Sequence, residues 1–290
     1  MPPILSSFAD VAHDYDVMLC DLWGCLHDGT RALKPAVDAL VAFRKSGGRV
    51  VLLTNAPRPS RVVRAQLDKF AVPRAAYDAV VSSGDAAQAA MAEGRFGRRV
   101  FHLGPAKDEG FFWDDAGAPV DVERVPLEEA EAIVCTGLFD DRTETPDDYA
   151  DILRRGVERN LPLLCANPDI VVDYGDARLY CAGAIARAYT GAGGRSHYFG
   201  KPHRPIYDLS RARLAEATGD GAAKRIVCIG DGIETDIAGA NFCGFDSVFV
   251  SGGIAAEQTG TVNDSPNPAK LLEYLKDSGQ LPTYSIGFFR

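Results

Sequence analysis

The sequence predicts an α/β protein in which helices cover both faces of a parallel β-sheet. Short apolar runs alternate with segments of helical spacing along nearly all of the 290 residues. The strongest run, RVVLLTN at 49–55, is strongly apolar in its centre and contains β-branched residues, as expected of a central strand buried on both faces. The order strand, helix, strand, helix favours a parallel sheet.

The first third of the chain begins this alternation. VMLC at 17–20 is a short apolar strand that ends at Asp21. PAVDALVAFRK at 35–45 has helical spacing, opens with proline, which suits a first helical turn, and is stopped by Gly47 and Gly48. The other predicted elements of this third are the strand 49–55, the helix 60–70 and the strand 80–82.

The remaining two thirds repeat the pattern. In the middle of the chain the predicted strands are 98–104, 131–137 and 161–167, and the predicted helices are 146–159 and 181–190. The last part contains a strand and loop at 196–202, strands at 225–231 and 246–253, and helices at 206–217, 234–241 and 268–276. The tail LPTYSIGFFR is apolar enough to pack onto the protein or to lie at an interface.

Composition excludes several classes of protein. Hydrophobic residues make up 46% and charged residues 24%, which is ordinary for a soluble globular protein, and no apolar run approaches the ~20 residues of a membrane span. The net charge of −9 argues against nucleic acid as a partner. The N-terminus has no secretory pattern. Seven cysteines without a CxxC pair predict reduced, buried thiols in a cytoplasmic protein and make a zinc site improbable.

Polar residues stand where three predicted strands end. They are Asp21, the pair Thr54 and Asn55, and Asp231. The carboxyl ends of the strands line the ligand crevice of an open parallel sheet. If these three strands are neighbours, their ends converge on one site.

Each of these residues has a chemical and a purely structural interpretation. Asp21 suits a carboxylate nucleophile that attacks phosphorus, or a turn aspartate. Thr54 and the backbone N–H groups around Asn55 suit phosphate binding, or helix capping. Lys201, between Gly200 and Pro202, suits neutralisation of developing charge, or a surface turn.

GDGIETDIAGA places a second carboxylate close to a strand end. Asp231 ends the strand and Asp236 follows five residues later. Such a pair suits Mg²⁺, which prefers oxygen ligands. The alternative is an acid favoured by the dipole at a helix N-terminus.

The order of these motifs resembles the haloacid dehalogenase superfamily, in particular its class IIA branch, which is NagD-like and p-nitrophenyl phosphatase-like. The segments that carry the resemblance are DLWGCLHDG, VVLLTNAPRP, LLCANPD, YFGKPHRPIYDLS and CIGDGIETDIAGA. The resemblance implies a Rossmann-like, doubly wound parallel-sheet core at 1–83 and 195–290, with an inserted α/β cap domain of the C2 type at 84–194. It also implies association into a homodimer.

The resemblance assigns roles to most of the polar residues. It implies Asp21 as nucleophile, Lys201 as the group that neutralises the phosphoryl charge, and Mg²⁺ as the cofactor. The implied Mg²⁺ ligands are Asp21, the Trp23 backbone carbonyl, Asp231 and Asp236. The implied substrate-binding and phosphate-binding residues are Thr54, Asn55, Trp23, Gly24, Asn167 and Asp169.

Trp23 departs from the family pattern. Phosphatases of the superfamily usually carry there a second aspartate, which protonates the leaving group and then activates water. Indole donates a hydrogen bond but transfers no proton, so activity on poor leaving groups should be weak. The candidate substitute acids are His27, Asp28 and His203, each with a structural alternative as a loop or turn residue.

The sequence therefore predicts a Mg²⁺-dependent phosphohydrolase that acts on a small phosphorylated metabolite. A sugar phosphate, a nucleotide and an aryl or pyridoxal-type phosphate all remain open. One alternative is a weak or inactive relative that binds a phosphorylated ligand or a partner. Another is a phosphotransferase or acyl-phosphate hydrolase, which need not use the missing acid in the same way.

Overall fold

A computed structural model describes residues 1–114, 116–174, 177–219 and 224–290. The strands are β1 (Ile4–Leu5), β2 (Val17–Cys20), β3 (Arg49–Thr54), β4 (Ala79–Ser82), β5 (Arg99–Leu103), β6 (Glu123–Arg124), β7 (Ala132–Cys135), β8 (Pro162–Cys165), β9 (Val171–Tyr174), β10 (Ala177–Tyr180), β11 (Arg195–Tyr198), β12 (Ile226–Gly230), β13 (Asp246–Val250) and β14 (Tyr284–Ile286).

The helices alternate with the strands. They are α1 (Lys34–Lys45), α2 (Ser60–Lys69), α3 (Ser83–Ala92), α4 (Ala150–Glu158), α5 (Ala182–Gly191), α6 (Arg204–Thr218), α7 (Ala238–Cys243), α8 (Ala256–Thr259) and α9 (Pro268–Ser278). A π-helical turn covers Ile233–Ile237, and 3₁₀ turns cover Phe8–Asp10, Ala12–Asp14, Arg74–Ala76, Ala106–Phe112, Leu127–Glu129 and Pro146–Tyr149.

The chain divides into two compact units. Unit 1 contains Met1–Thr54, Arg64–Val81 and Tyr207–Arg290, and unit 2 contains Asn55–Val63 and Ser82–Ile206. Each unit has its own parallel sheet. The division predicted from the sequence, a core of 1–83 and 195–290 with a cap of 84–194, stays a prediction.

Unit 1 is built on a seven-stranded sheet, as far as the described residues show. Its strand order is β1-β14-β13-β12-β2-β3-β4. The pairs β12 with β2 and β2 with β3 are parallel. Met18, Leu52 and Phe249, on three of its strands, are fully buried, as expected of a sheet covered on both faces. The predicted fold class is confirmed.

Unit 2 has a smaller sheet of order β11-β8-β7-β5-β6, which is parallel throughout the described pairs. Its core contains Ile133, Leu163, Ile185 and Tyr189. The Tyr189 hydroxyl keeps a partner despite its burial, because it donates to the Leu161 carbonyl at 2.6 Å. Strands β9 and β10 form a separate antiparallel hairpin.

Most predicted elements begin and end within about two residues of the observed ones. The elements that were not predicted are β1, β6, α3, α8 and the hairpin of β9 and β10. The apolar tail packs onto the protein as β14, parallel to β13 and β1. The helix predicted for 234–241 begins as the π-helical turn and becomes α-helical only at Ala238.

The seven cysteines form no disulfide bonds with one another in the described residues. Six are buried, and Cys243 is half-buried. Burial raises the pKa of Cys25 and Cys165 well above the ordinary thiol value. In the described parts of the chain, no helix combines the length and the apolar character needed to cross a membrane.

Candidate active site

Three polar side chains follow or end neighbouring strands of the sheet in unit 1. Asp21 directly follows β2, and its backbone N–H donates to the Ile229 carbonyl on β12 at 2.9 Å. Asp231 directly follows β12, and Thr54 ends β3. Because β2 lies between β12 and β3 and all three run parallel, these residues share one edge of the sheet. All three are buried.

Backbone from two loops surrounds the Asp231 carboxylate. Its Oδ2 accepts a hydrogen bond from the Ile254 N–H at 2.8 Å. A Cβ atom on either Gly24 or Gly253 would overlap the carboxylate, and Gly24 has a φ of +75°. Only glycine adopts that conformation without strain. Gly24, predicted to bind substrate or phosphate, therefore packs against Asp231.

Asp236 lies against the end of the same strand. Its carboxylate folds back over Gly230, where a Cβ atom would overlap it. Its Oδ2 accepts from the Gly232 N–H at 3.2 Å and from the Thr235 hydroxyl at 3.4 Å. The π-helical turn positions this residue, and such turns are frequent at functional sites.

The donor atoms at this edge suit a hard divalent cation. One ligand atom each from Asp21, Cys25 and Asp231 lie within 4.8 Å of one another. Desolvation, and then the charges of Asp231 and Asp21, raise the pKa of Cys25 well above its usual value. The carboxylate oxygens are the donors that Mg²⁺ prefers, and Asp236 adds a third buried carboxylate nearby.

Trp23 occupies the loop that follows Asp21. It is half-buried, and its ring contacts Gly29, where a Cβ atom would come within 2.5 Å of it. The same ring meets the His27 imidazole edge to face, with centroids 5.3 Å apart. These contacts fix the indole by packing, and the indole has no proton to transfer in the ordinary pH range.

His27, a candidate substitute acid, is part of the same packing. Its ring is 2% exposed and also meets Phe70 edge to face. Its Nδ1 accepts from the Gly29 N–H at 3.1 Å. Burial lowers the pKa of His27 to about 4, so the ring is neutral near pH 7. A neutral imidazole with these contacts is suited to shaping the loop.

Asp28, the second candidate, closes a turn. Its Oδ1 accepts from the Thr30 and Arg31 N–H groups, each at 2.9 Å, and from the Thr30 hydroxyl at 2.6 Å. These hydrogen bonds, those from Thr30 first, lower the pKa of the exposed Asp28 carboxyl. A carboxyl held in its ionised form is a poor proton donor.

Unit 2 contains the remaining predicted site residues. Lys201 is 3% exposed and Asn55 is 3% exposed. The Asn55 amide bonds to the Lys201 backbone and to the Asp169 carboxylate. The side chain of Asn167 accepts from the Asp169 N–H at 3.1 Å, which forms an Asx turn.

His203, the third candidate acid, lies two residues beyond Lys201. Its ring stacks on Tyr198 with centroids 4.8 Å apart. Desolvation lowers the pKa of His203. Its N–H donates to the Gly200 carbonyl at 2.9 Å, so His203 also closes the turn that carries Lys201.

Two contributors to the site were missed in the sequence. Cys25 lies with Asp21 and Asp231, and its position four residues after Asp21 in a short loop was the available signal. Gly253 allows the loop after β13 to approach Asp231. Nothing in the sequence near Gly253 indicated that approach, because it depends on which strands are neighbours.

Comparisons with known proteins agree with this architecture. The family model described as haloacid dehalogenase-like hydrolase matches residues 18–113, and a HAD-hydrolase-like model matches residues 198–278. A solved structure of a hydrolase of the haloacid dehalogenase-like family from Brucella suis 1330 is 41% identical, covers 100% of both chains and has a TM-score of 0.84.

Two further solved structures extend the likeness. The p-nitrophenyl phosphatase from Archaeoglobus fulgidus is 20% identical over 94% of this chain and 96% of its own, with a TM-score of 0.71, which shows a shared fold. The glycerol phosphate phosphatase from Mycobacterium tuberculosis, in complex with magnesium, is 25% identical over 96% of this chain and 77% of its own, with a TM-score of 0.67. A search of curated proteins found no match.

The predicted resemblance to the superfamily is thus confirmed, and the fold agrees with the p-nitrophenyl phosphatase-like branch. An identity of 41% over the full length of both chains shows that the two proteins are related in sequence as well as in fold. The chain belongs to the family of haloacid dehalogenase-like hydrolases.

Proposed function

We propose that the protein is a Mg²⁺-dependent phosphohydrolase that releases phosphate from a small phosphate monoester through an aspartyl-phosphate on Asp21. The observation that carries the proposal is the edge of the sheet in unit 1. There Asp21, Thr54, Asp231 and Asp236 are all buried at the carboxyl ends of β2, β3 and β12. Buried carboxylates so close together are unfavourable unless positive charge offsets them.

Mg²⁺ would be held by Asp21 and Asp231, with Asp236 and the Trp23 backbone carbonyl as the other ligands that the family resemblance implies. The clustered carboxylate oxygen atoms fit a hard cation such as Mg²⁺. When bound, the ion would supply positive charge that offsets the charge of a phosphate group.

The residues of the chain would perform two displacements at phosphorus. An Asp21 oxygen attacks, a new O–P bond forms, and the ester O–P bond breaks as the leaving group takes its electron pair. Water then attacks the phosphorus of the aspartyl-phosphate, inorganic phosphate leaves and the Asp21 carboxylate is restored. Thr54 would hold phosphate oxygens, and the resemblance assigns charge neutralisation to Lys201.

Trp23 narrows the range of substrates. The leaving oxygen has to gain a proton or depart as an anion, and the indole cannot supply that proton. Within the loop 22–31, His27 is buried and neutral and Asp28 is held ionised, so neither is a suitable donor. Esters whose alcohol is acidic, such as aryl phosphates, and acyl phosphates are therefore the substrates that this loop suits best.

The packing of Trp23 also favours a second candidate function. A site that binds phosphate without a proton donor could serve as a binding site with little or no turnover. The Trp23 ring is fixed against Gly29 and His27, as expected of a wall that shapes a ligand pocket. This candidate predicts stabilisation by phosphorylated ligands without phosphate release.

Measuring phosphate-ester turnover by wild type and three variants distinguishes the phosphohydrolase from the binding protein. Wild type, Asp21→Asn, Trp23→Asp and Trp23→Asn are assayed with p-nitrophenyl phosphate and with glycerol phosphate, each with and without Mg²⁺. We expect Mg²⁺-dependent release of p-nitrophenol by wild type and none by Asp21→Asn. Trp23→Asp should raise turnover of the alkyl ester at least ~10-fold, below the 10²–10⁴-fold range of an optimised acid.

Trp23→Asn is the matched control, because it has the size of Trp23→Asp but no titratable group. Equal gains in both variants would show that space, and not a proton, limits the alkyl ester. Wild-type protein that is folded, binds Mg²⁺ and releases no phosphate from either ester would contradict the phosphohydrolase proposal and favour the binding function.

A further inference from the structure

The Asn55 side chain joins three loops of unit 2. Its Oδ1 accepts from the Lys201 N–H at 2.7 Å, and its Nδ2 donates to the Lys201 carbonyl at 3.1 Å. The same Nδ2 donates to Oδ1 of Asp169 at 2.8 Å. One amide therefore uses both of its N–H groups and its oxygen on two other segments of the chain.

The two bonds to Lys201 fix the backbone of that residue on both sides of its Cα atom. They resemble the way in which a neighbouring strand pairs with one residue, although Asn55 uses only its side chain. The Cα atom and the direction in which the side chain leaves it are thereby set. Lys201 is 3% exposed, so water has little access to compete for these bonds.

The bond to Asp169 is charge-assisted and fixes the rotation of the amide. An amide can flip by exchanging its oxygen and nitrogen, but only the observed orientation presents N–H to a carboxylate. The Asp169 backbone is itself held by the Asx turn from Asn167. Asp169 thus selects the orientation in which Asn55 receives the Lys201 N–H.

Close packing at Gly200 supports the same connection. A Cβ atom on Gly200 would overlap Oδ1 of Asn55 and would lie 2.7 Å from Cδ of Pro168 and 2.8 Å from Oγ of Ser83. The residue before Lys201 is therefore confined by the two loops that Asn55 joins and by the start of α3. No side chain larger than that of glycine fits there without moving one of these groups.

We propose that Asn55 and Asp169 act as positioning residues, which fix the Lys201 backbone and thereby the direction in which the side chain carrying the ammonium group leaves it. The family resemblance assigned both residues to substrate or phosphate binding. In the structure the Asn55 side chain bonds to the Lys201 backbone and to the Asp169 carboxylate. The inference rests on the proposed function only for what Lys201 does. The connection itself is a property of unit 2 and can be tested without turnover.

The kinetic test exchanges the two partners. Asn55→Asp places two carboxylates against each other and removes both N–H donors, so we expect kcat for p-nitrophenyl phosphate to fall ~100-fold with KM changed less than ~3-fold. Asp169→Asn should lower kcat only ~3-fold to 10-fold. The double variant that combines both changes again places an amide opposite a carboxylate, with the two positions exchanged. Its kcat should be at least ~10-fold higher than that of Asn55→Asp.

Asn241→Asp is the matched control, because Asn241 bonds to Gln280 on the surface of unit 1.

Hydrogen exchange tests the connection without any substrate. In Asn55→Ala the Lys201 amide loses its acceptor, so its exchange should accelerate at least ~10-fold relative to wild type. The His203 amide, which donates to the Gly200 carbonyl, is the internal reference and should change less. Asn55→Ala also avoids the repulsion that could prevent Asn55→Asp from folding.

The outcomes separate the two proposals. If wild type releases no phosphate but the Lys201 amide is protected and loses protection in Asn55→Ala, the phosphohydrolase proposal fails and the connection stands. An unchanged exchange rate of the Lys201 amide in Asn55→Ala would overturn the connection. A double variant no more active than Asn55→Asp, with a thermal midpoint near that of wild type, would overturn the positioning role of Asp169.

Discussion

Gly24 lies in the loop that follows Asp21 and packs against the Asp231 carboxylate. Its φ of +75° and the absence of a Cβ atom together let the loop after β2 approach the Asp231 carboxylate. Asp21 and Asp231 are therefore held near each other by backbone, which changes little on binding, and not only by the rotamers of two side chains. A site that brings several charged groups together depends on such preorganisation.

Gly24→Ala should weaken Mg²⁺ binding more than it lowers the stability of the fold. The left-handed conformation costs about 1–2 kcal/mol with a Cβ atom, and the overlap with Asp231 adds displacement of that carboxylate. We expect the Mg²⁺ concentration for half-maximal activity to rise at least ~10-fold. The measurement is a Mg²⁺ titration of turnover beside a thermal unfolding curve.

Gly47→Ala is the matched control for that strain. Gly47 has a φ of +100°, is exposed and has no atom within 4 Å of a built Cβ. It should lower stability by a similar amount and leave the Mg²⁺ requirement unchanged. Equal Mg²⁺ curves for the two variants would contradict the account of Gly24.

At the scale of secondary-structure elements, the start of α3, which was not predicted from the sequence, is fixed by the buried Asp85 carboxylate. The Ser82 hydroxyl accepts from the Asp85 N–H at 3.0 Å, and Asp85 accepts from the Ser82 N–H at 3.3 Å, which is a capping box. Asp85 also accepts from the Ser60 N–H, the first residue of α2, at 2.9 Å. A single buried carboxylate therefore accepts hydrogen bonds at the beginnings of both α2 and α3.

Asp85→Ala should destabilise the protein strongly. The change leaves two buried N–H groups without this acceptor, at about 1–3 kcal/mol each, so we expect a loss of about 2–6 kcal/mol in urea unfolding. Asp10→Ala is the comparison, because Asp10 closes a similar capping box with Ser7 in an exposed position. It should lose about 1 kcal/mol or less. Similar losses in the two variants would show that burial does not decide the effect.

His102 should give unit 2 a pH-dependent stability. Desolvation first, and then the Arg124 charge, lower the pKa of His102 to about 4, against the opposing effect of Glu109, and its Nε2 lies 3.0 Å from the Thr136 hydroxyl. The unfolded chain binds this proton below pH ~6.5, whereas the folded chain does not until pH ~4. Stability is therefore lost as the pH falls through that window, by about 2 kcal/mol at pH 5.

The variant His102→Gln removes the titration and retains a polar group. Its urea midpoint should fall less between pH 7 and pH 5 than that of wild type. His13→Gln changes a histidine on the surface and serves as the control. If wild type and His102→Gln show the same slope with pH, the buried ring does not titrate as described.

The sequence predicts an element well where the element's own apolar pattern determines its structure. It predicts poorly where contacts with residues distant in the sequence determine the structure. Strands β2, β3 and β12 are continuous apolar runs and were predicted closely. Helix α3, SGDAAQAAMA, is small and buried nearly all round, so it has no amphipathic periodicity to detect. Asp21 and Asp231 were predictable as strand-end acids, whereas the role of Asn55 depends on contacts with residues more than 100 positions away.

At the scale of the whole molecule, the two ends of the chain join the same sheet edge. Strand β1 pairs with β14, and the Phe8 N–H donates to the Arg290 carbonyl at 2.8 Å. The Phe8 ring meets Phe289 and Phe43 edge to face. This aromatic contact connects the first and last segments to the interior of unit 1.

Phe289→Ala should therefore destabilise unit 1, although it lies next to the last residue. Phe289 is 2% exposed, and removing such a ring costs about 3–5 kcal/mol. Phe242→Ala is the control, because Phe242 is 69% exposed and its loss should change stability by less than about 0.5 kcal/mol. Urea unfolding checks both values, and a small loss at Phe289 would mean that the final segment contributes little to folding.

The order of strands in unit 1 also dictates when the site can first exist. Cys20 on β2 pairs with Ile229 on β12, so β2 leaves the ribosome about 200 residues before its neighbour. At roughly 5–20 residues per second, that delay is on the order of 10–40 s. Strands β5, β7, β8 and β11 are synthesised within the delay and can pair with one another. During synthesis, β2 therefore has one unpaired edge until the strand carrying Asp231 arrives, and this interval is when the nascent chain most needs protection from association.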